Sequence, residues 1–300
     1  MIYAKPALTL EQQADLLIQR GMTGDRGVII EHLKTVNYYR LSGYWYPFRD
    51  LPGETFRPGT AFDVVWDRYA FDRQLRLLVM DGIERIEVAV RTQLAYHHSH
   101  HCGNPFAYAD DPTALPSLAA DQRDRLLAEI SEQTRNSRET FVQHFRAKYG
   151  QDHDFMPIWM ASEIMTFGSL LTFYRGVAGG VRQSVARLFG VHDTVLDSWL
   201  LTLNTIRNIC AHHARLWNRQ LGVRPKIPGK DTRWHAPVEV TNERVFGILT
   251  IIRYCLTRIA PQSRWPDRLR ALQAEHPRIP RKAMGFPENW ETCAIWKAYR

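Results

Sequence analysis

The sequence predicts a mostly α-helical fold, and three observations carry that prediction. Apolar residues recur every three or four positions over residues 62–98, the longest helical pattern of the chain. A second apolar helical pattern covers residues 193–217. No stretch has the composition of a convincing β-strand. The apolar stripe of the longest pattern consists of Trp66, Tyr69, Leu75, Leu78, Ile86, Val90 and Leu94.

Shorter helices are predicted from capping residues and from the Gly and Pro residues between them. Thr9 is the expected N-cap of a helix over 9–20, and Thr23 or Asp25 is the expected N-cap of a helix over 25–34. An aromatic segment, 38–48, follows, with turns expected at Gly43 and Pro47 and a small hairpin over 45–56. Gly82 is expected to bend the long helix. Further helices are predicted over 121–135, 138–149, 158–175, 181–189, 242–259 and 267–274.

Three regions are expected along the 300 residues. Residues 1–60 form an N-terminal helical region with the aromatic segment. Residues 61–260 form the helical core. Residues 261–300 form a tail in which Trp290 and Trp296 pack on that core.

The composition points to an anionic partner. The net charge is +8 and the isoelectric point is about 9.4, which favours nucleic acid over a surface that is basic only for solubility. The four cysteines are far apart and form no CxxC pair, which argues against a zinc ribbon or a disulfide scaffold. No signal-peptide pattern is present, and the apolar run near 247–256 is too short to cross a bilayer. We therefore expect a cytoplasmic protein without membrane contact.

The stretch RNICAHH, residues 207–213, is the strongest functional signal. It combines a permanently charged arginine, an asparagine and two histidines. No acidic residue occurs between Asp197 and Asp231. Such a region can bind a phosphodiester and supply a proton-transfer group beside it. The basic residues of this interval are Arg207, Arg215, Arg219, Arg224, Lys226 and Lys230.

Helical phase separates the two adjacent histidines. At about 100° per residue, one polar arc of roughly 140° contains the side chain of His212. His213 falls in the apolar half, so it is expected to pack or to orient its neighbours. His212 is therefore the candidate catalyst. The other members of the polar arc are Asn204, Arg207, Asn208, Ala211 and Arg215.

Three blocks of the chain, in order, resemble the Abi-like (abortive infection, AbiD/AbiF type) family. They are 38–48 (YYRLSGYWYPF), 69–76 (YAFDRQLR) with 83–92 (IERIEVAVRT), and 199–219. Within the last block, Arg207-Asn208-x-x-x-His212 is similar to the HEPN ribonuclease signature. The resemblance implies an all-α HEPN-type helical bundle and a ribonuclease of phage defence or a toxin–antitoxin system. It also implies a homodimer whose two motif helices face each other.

A metal-independent mechanism without a cofactor is expected on these residues. The nucleophile is the 2′-hydroxyl of the RNA substrate, and His212 acts as base or acid because imidazole titrates near pH ~6.5. Arg207 stabilises the phosphorane through its fork of donors. Asn208 orients His212 or contacts a phosphate. Cleavage leaves a 2′,3′-cyclic phosphate, and a dimer supplies both acid and base.

Supporting roles are expected for residues around this motif. Glu84, Glu87 and Arg91 share a helix face. By resemblance, this helix packs beside the motif helix, where Glu87 holds Arg207 or His212; the alternative is a solvated row of ion pairs. Asn204 and His213 are further supporting residues. The phosphate-contact candidates are Arg215, Arg219, Arg224, Lys226 and Lys230.

Alternatives remain open on the sequence alone. The aromatic segment 38–48 either packs in the core or stacks RNA bases. His97, His101 and Cys102 lie in a His-rich stretch that is either a solvated helix end or the zinc site of a metal-dependent hydrolase. The chain is either a ribonuclease or a non-catalytic RNA-binding module. A toxic ribonuclease also calls for an antitoxin, either RNA or protein.

Overall fold

The computed structural model describes residues 6–297, and this part of the chain contains thirteen α-helices and no β-strand. The all-α prediction is confirmed. Residues 1–5 of the predicted N-terminal region and residues 298–300 of the predicted tail lie outside the described residues. The helices are α1 (Leu10–Gln19), α2 (Arg26–Thr35), α3 (Tyr38–Trp45), α4 (Phe62–Cys102), α5 (Ala107–Asp110), α6 (Ala120–Asn136), α7 (Thr140–Tyr149), α8 (Ile158–Ile164), α9 (Phe167–Gly176), α10 (Gly179–Phe189), α11 (Asp193–Ala211), α12 (Val245–Ile259) and α13 (Trp265–Glu275).

The N-terminal helices begin where their caps predict. The Thr9 hydroxyl accepts a hydrogen bond from the amide of Gln12, whose side chain returns one to the Thr9 amide. The Asp25 carboxylate caps α2 through the amide of Val28. These short-range hydrogen bonds satisfy amides that the first helical turn leaves unpaired.

The aromatic segment differs from its prediction. Gly43 lies inside α3 rather than in a turn, and a short 3-10 turn around Pro47 follows the helix. The expected hairpin is reduced to a single antiparallel bridge between Arg49 and Phe56. The Arg215 side chain packs beside Gly43, where a Cβ would make ordinary van der Waals contact at 3.8 Å from Nη1 of Arg215.

The 41-residue helix α4 forms the centre of the molecule. The helix continues without a break through Gly82, the position at which the sequence predicts a bend. A Cβ on Gly82 would collide with the side chain of Ile252 on α12. The glycine therefore permits close packing of α4 against α12, whose residues are almost all buried.

The remaining helices and the tail cover this centre. The predicted helix over 158–175 is two helices, because Thr166 caps α9 through the amide of Ser169. In the tail, Trp290 and Trp296 are buried, as expected, and the Trp296 indole donates to the Thr250 hydroxyl at 2.9 Å. No helix among residues 6–297 is both long and apolar enough to span a bilayer.

The buried His98 on α4 predicts a pH-dependent stability. Its ring is fully buried against Phe173, and this burial lowers its pKa to about 4. Between about pH 6.5 and about pH 4, the unfolded chain binds a proton on this histidine that the folded chain does not bind. The free energy of unfolding is therefore expected to fall by about 3 kcal/mol as the pH drops through this window.

Urea unfolding of the wild type and of His98→Leu at several pH values measures this effect. The variant is expected to have a shallower loss of stability between about pH 6.5 and about pH 4 than the wild type. His100→Leu, which removes an exposed imidazole from the same helix, is the control. Equal slopes for the wild type and His98→Leu would show that burial does not lower the pKa of His98 in the folded protein.

Candidate active site

Helix α11 ends six residues before its predicted end. The last helical residue is Ala211, His212 is the C-cap, and His213 has a left-handed backbone with φ of +55°. Both histidines are exposed. The expectation that His213 faces the core is therefore wrong, because helical phase has no meaning beyond the end of the helix. The same correction applies to Arg215, which was assigned to the polar arc.

Arg207 and Asn208 lie on the last turn and a half of α11, and His212 caps the end of the helix. Asn208 and His212 are exposed and Arg207 is half-buried. The Arg207 guanidinium donates to the Asn208 side-chain oxygen at 3.3 Å. The amide of His212 donates to the carbonyl of Asn208 at 2.9 Å. A cation, an amide and an imidazole thus share one accessible helix end.

Asp72 of α4 anchors the chain immediately after this helix end. Its carboxylate is fully buried and accepts from the amide of Leu216 at 3.2 Å and from that of Trp217 at 2.7 Å. It also accepts from the Tyr44 hydroxyl at 2.7 Å and from Arg76 at 2.6 Å. Burial raises the pKa of Asp72, and its four donors oppose that rise. Sequence reasoning missed this role, although segment 69–76, which contains Asp72, was among the blocks that carry the resemblance.

Helix α3 holds the same turn from the other side. The Arg40 guanidinium donates to the carbonyl of His213 at 2.6 Å. The Arg215 guanidinium donates to the carbonyl of Gly43. Arg215 was expected to contact RNA phosphates, but in this structure its side chain joins the motif turn to α3. The path of the chain after His212 is therefore defined by contacts with α3 and α4.

Of the other predicted phosphate-contact residues, two side chains have partners among the described residues and two do not. Arg219 donates to the carbonyl of Arg215 at 3.0 Å, and Arg224 pairs with Glu243 at 2.8 Å on the surface. Lys226 and Lys230 are exposed, and neither ammonium group has an ion-pair partner within residues 6–297. These two lysines are the more available cations of the basic loop.

The loop that carries these lysines is fixed to α11 by its backbone. The amide of Lys226 donates to the Ser198 hydroxyl at 2.8 Å, and its carbonyl accepts from the Trp199 indole at 2.8 Å. The loop therefore follows the motif helix, although these anchors lie near the helix start rather than near His212.

Glu87 does not hold the motif residues. It pairs with Arg91, and both side chains are largely buried. Arg91 also donates to the carbonyls of Ser162 and Met165, so it joins α4 to the break between α8 and α9. The expectation that Glu87 orients Arg207 or His212 is wrong in this structure. For Glu87 and Arg91, the alternative of a solvated ion pair is wrong as well, because the pair is largely buried.

Asn204 and the His-rich end of α4 complete the predicted set. Asn204 is half-buried beside the start of α9, since a Cβ at Gly168 would lie 3.9 Å from its Nδ2. At the end of α4, the Cys102 sulfur lies 3.9 Å from Nδ1 of the buried His98. No group of three or more His, Cys, Asp or Glu side chains in the described part of the chain is placed to hold a metal ion.

The fold and this site define a class of all-α protein. In this class a buried carboxylate on the central helix anchors the chain just after an exposed helix end that carries Arg, Asn and His. The model of the Abi-like protein family matches residues 31–218. The match covers more than half of the chain, and it includes α3, α4, α11 and the motif turn. The chain therefore belongs to the Abi-like family. No curated protein and no solved structure matches it.

Proposed function

We propose that this protein is an endoribonuclease of the HEPN type that needs no metal and acts as an effector of abortive infection in phage defence. The observation that carries the proposal is the exposed end of α11, where Arg207, Asn208 and His212 lie together. Membership of the Abi-like family supports the role in defence. A toxic ribonuclease also requires an antitoxin, which is either RNA or protein.

The chemistry follows from the residue types. The His212 imidazole takes the proton from the 2′-hydroxyl of RNA, whose oxygen then attacks the adjacent phosphorus. Arg207 neutralises the developing negative charge on the phosphorane. Asn208 accepts a hydrogen bond from Arg207 at 3.3 Å, which limits the orientations of that guanidinium. The 5′-oxygen leaves after it receives a proton, and the product carries a 2′,3′-cyclic phosphate.

In an in-line displacement the attacking 2′-oxygen and the leaving 5′-oxygen lie on opposite sides of the phosphorus, so one imidazole does not reach both. The proposal therefore includes a homodimer in which two α11 ends face each other. The His212 of the second copy then protonates the leaving oxygen. Exposure of His212 in the single chain is consistent with this arrangement.

Incubation of the purified protein with end-labelled RNA in EDTA tests the proposal. We expect cleavage in EDTA and fragments that end in a 2′,3′-cyclic phosphate. RNA binding without cleavage would instead indicate a non-catalytic RNA-binding module. Cleavage that EDTA abolishes would indicate a metal-dependent hydrolase. Either result overturns the proposed mechanism.

A further inference from the structure

The aromatic residues of segment 38–48 divide into a packed set and an exposed set. Four of them have internal partners. The exceptions are Tyr39, which is 85% exposed, and Tyr46, which is 52% exposed. Neither of these two rings makes an aromatic or cation–π contact within residues 6–297. The packed residues are Tyr38 against Trp45, Trp45 against Phe56, Tyr44 on Asp72 and Tyr69, and Phe48 under Arg68.

The two exposed rings lie on one face of α3. Tyr46 is the C-cap of α3 and has helical backbone angles, so the helical phase extends to it. It lies seven positions after Tyr39, which at helical spacing places the two side chains within about 20° of each other and about 10 Å apart along the axis. Gly43, one turn after Tyr39, contributes no side chain between them. The Arg215 guanidinium lies beside Gly43 instead, so the face presents two separated rings with a cation between them.

This face borders the candidate active site. Arg40, next to Tyr39 in the chain, donates to the carbonyl of His213 at 2.6 Å. Gly43, midway between the two tyrosines, accepts from Arg215. Both contacts are made to the short turn that follows His212. The two tyrosines thus flank the point at which α3 meets the end of the motif helix.

Charge favours an anionic chain across this surface. No acidic residue occurs between Glu31 and Asp50 around α3, or between Asp197 and Asp231 around the motif turn. The carboxylate beneath the turn, Asp72, is fully buried and paired with Arg76. Exposed tyrosines beside arginines are the elements of a surface that binds single-stranded nucleic acid.

We propose that Tyr39 and Tyr46 form a stacking subsite for unpaired bases next to the scissile phosphate. The substrate class is therefore single-stranded RNA, such as a loop or an unpaired end. A duplex keeps its bases stacked on each other, so they are not available to these rings. The subsite rests on the proposed ribonuclease function, because it assigns the RNA segment that reaches His212.

The test measures binding of a fluorescent 12-nucleotide 2′-O-methyl RNA to the full chain in EDTA by anisotropy. The methyl group removes the proton that cleavage requires but leaves the bases unchanged. Tyr39→Ala and Tyr46→Ala are each expected to weaken binding by about 5- to 100-fold, the range for loss of one stacked base. Tyr39→Phe is expected to bind as the wild type does, because it keeps the ring. Tyr96→Ala removes a tyrosine that is 55% exposed, close to the value for Tyr46, from the distant half of α4 and is the control.

A blunt duplex of the same sequence separates stacking from charge. The alanine variants are expected to leave duplex binding unchanged. If the alanine variants weaken binding of the single strand and of the duplex equally, or weaken neither, the proposed stacking subsite is wrong. The proposed subsite is also wrong if the wild type binds no RNA.

If the wild type cleaves RNA in EDTA but Tyr39→Ala binds RNA normally, the subsite is wrong while the proposed ribonuclease function stands. If binding depends on Tyr39 but no RNA is cleaved, the ribonuclease fails while the subsite stands.

Discussion

Replacing Asp72 with asparagine is expected to lower the free energy of unfolding by about 3–5 kcal/mol, the usual cost of breaking a buried ion pair from one side. The carboxylate is fully buried, and the Arg76 side chain opposite it is only 6% exposed. Asparagine would leave that guanidinium without its counter-ion. The asparagine NH2 group would also face donors that now bind the Asp72 carboxylate, and a donor cannot accept their hydrogen bonds. Urea unfolding at pH 7 measures the loss.

Asp63→Asn on the same helix is the matched control. The Asp63 carboxylate is 66% exposed and pairs with Arg278 at the surface. Loss of such a pair is expected to change stability by less than about 1 kcal/mol. If Asp72→Asn is as mild as Asp63→Asn, the network around Asp72 is not what holds the motif turn against α4.

Replacing His212 with alanine is expected to slow RNA cleavage by about 10²- to 10⁴-fold, the range for loss of a general acid or base. Stability is expected to change little, because His212 is exposed and its side chain makes no hydrogen bond within residues 6–297. A cleavage assay in EDTA, with unfolding curves for the same preparations, separates the two effects. Arg207→Ala is expected to cause a comparable loss, because it removes the charge that stabilises the phosphorane.

His213→Asn is the control for His212→Ala. Asparagine tolerates the left-handed backbone that His213 adopts, with φ of +55°, so the turn is kept while the imidazole is removed. We expect the rate to fall by less than tenfold. A larger loss in His213→Asn than in His212→Ala would make His213 the catalytic imidazole and would reverse the assignment that helical phase suggested.

The position of the end of α11 illustrates the limit of sequence reasoning. The apolar pattern continues through Leu216 and Trp217, and both residues are indeed buried. They are buried in a non-helical segment, however, because their amides donate to a carboxylate more than 140 positions earlier in the chain. An apolar pattern indicates which residues are buried but not which backbone conformation buries them.

The sequence by itself determined the helical class, the caps at Thr9 and Asp25, and the placement of Arg207 and Asn208 on one helix. These features depend on residues within a few positions of each other, where hydrogen bonding and helical period act directly. The sequence also indicated the family, through three blocks of residues that occur in the family's order. The tertiary structure decided that α11 ends at Ala211, that His213 is exposed, that Glu87 pairs with Arg91 and that only Tyr39 and Tyr46 of the aromatic segment lack internal partners. Those outcomes depend on hydrogen bonds and packing between distant segments, such as Arg40 with His213 and Asp72 with Trp217, which no local pattern specifies.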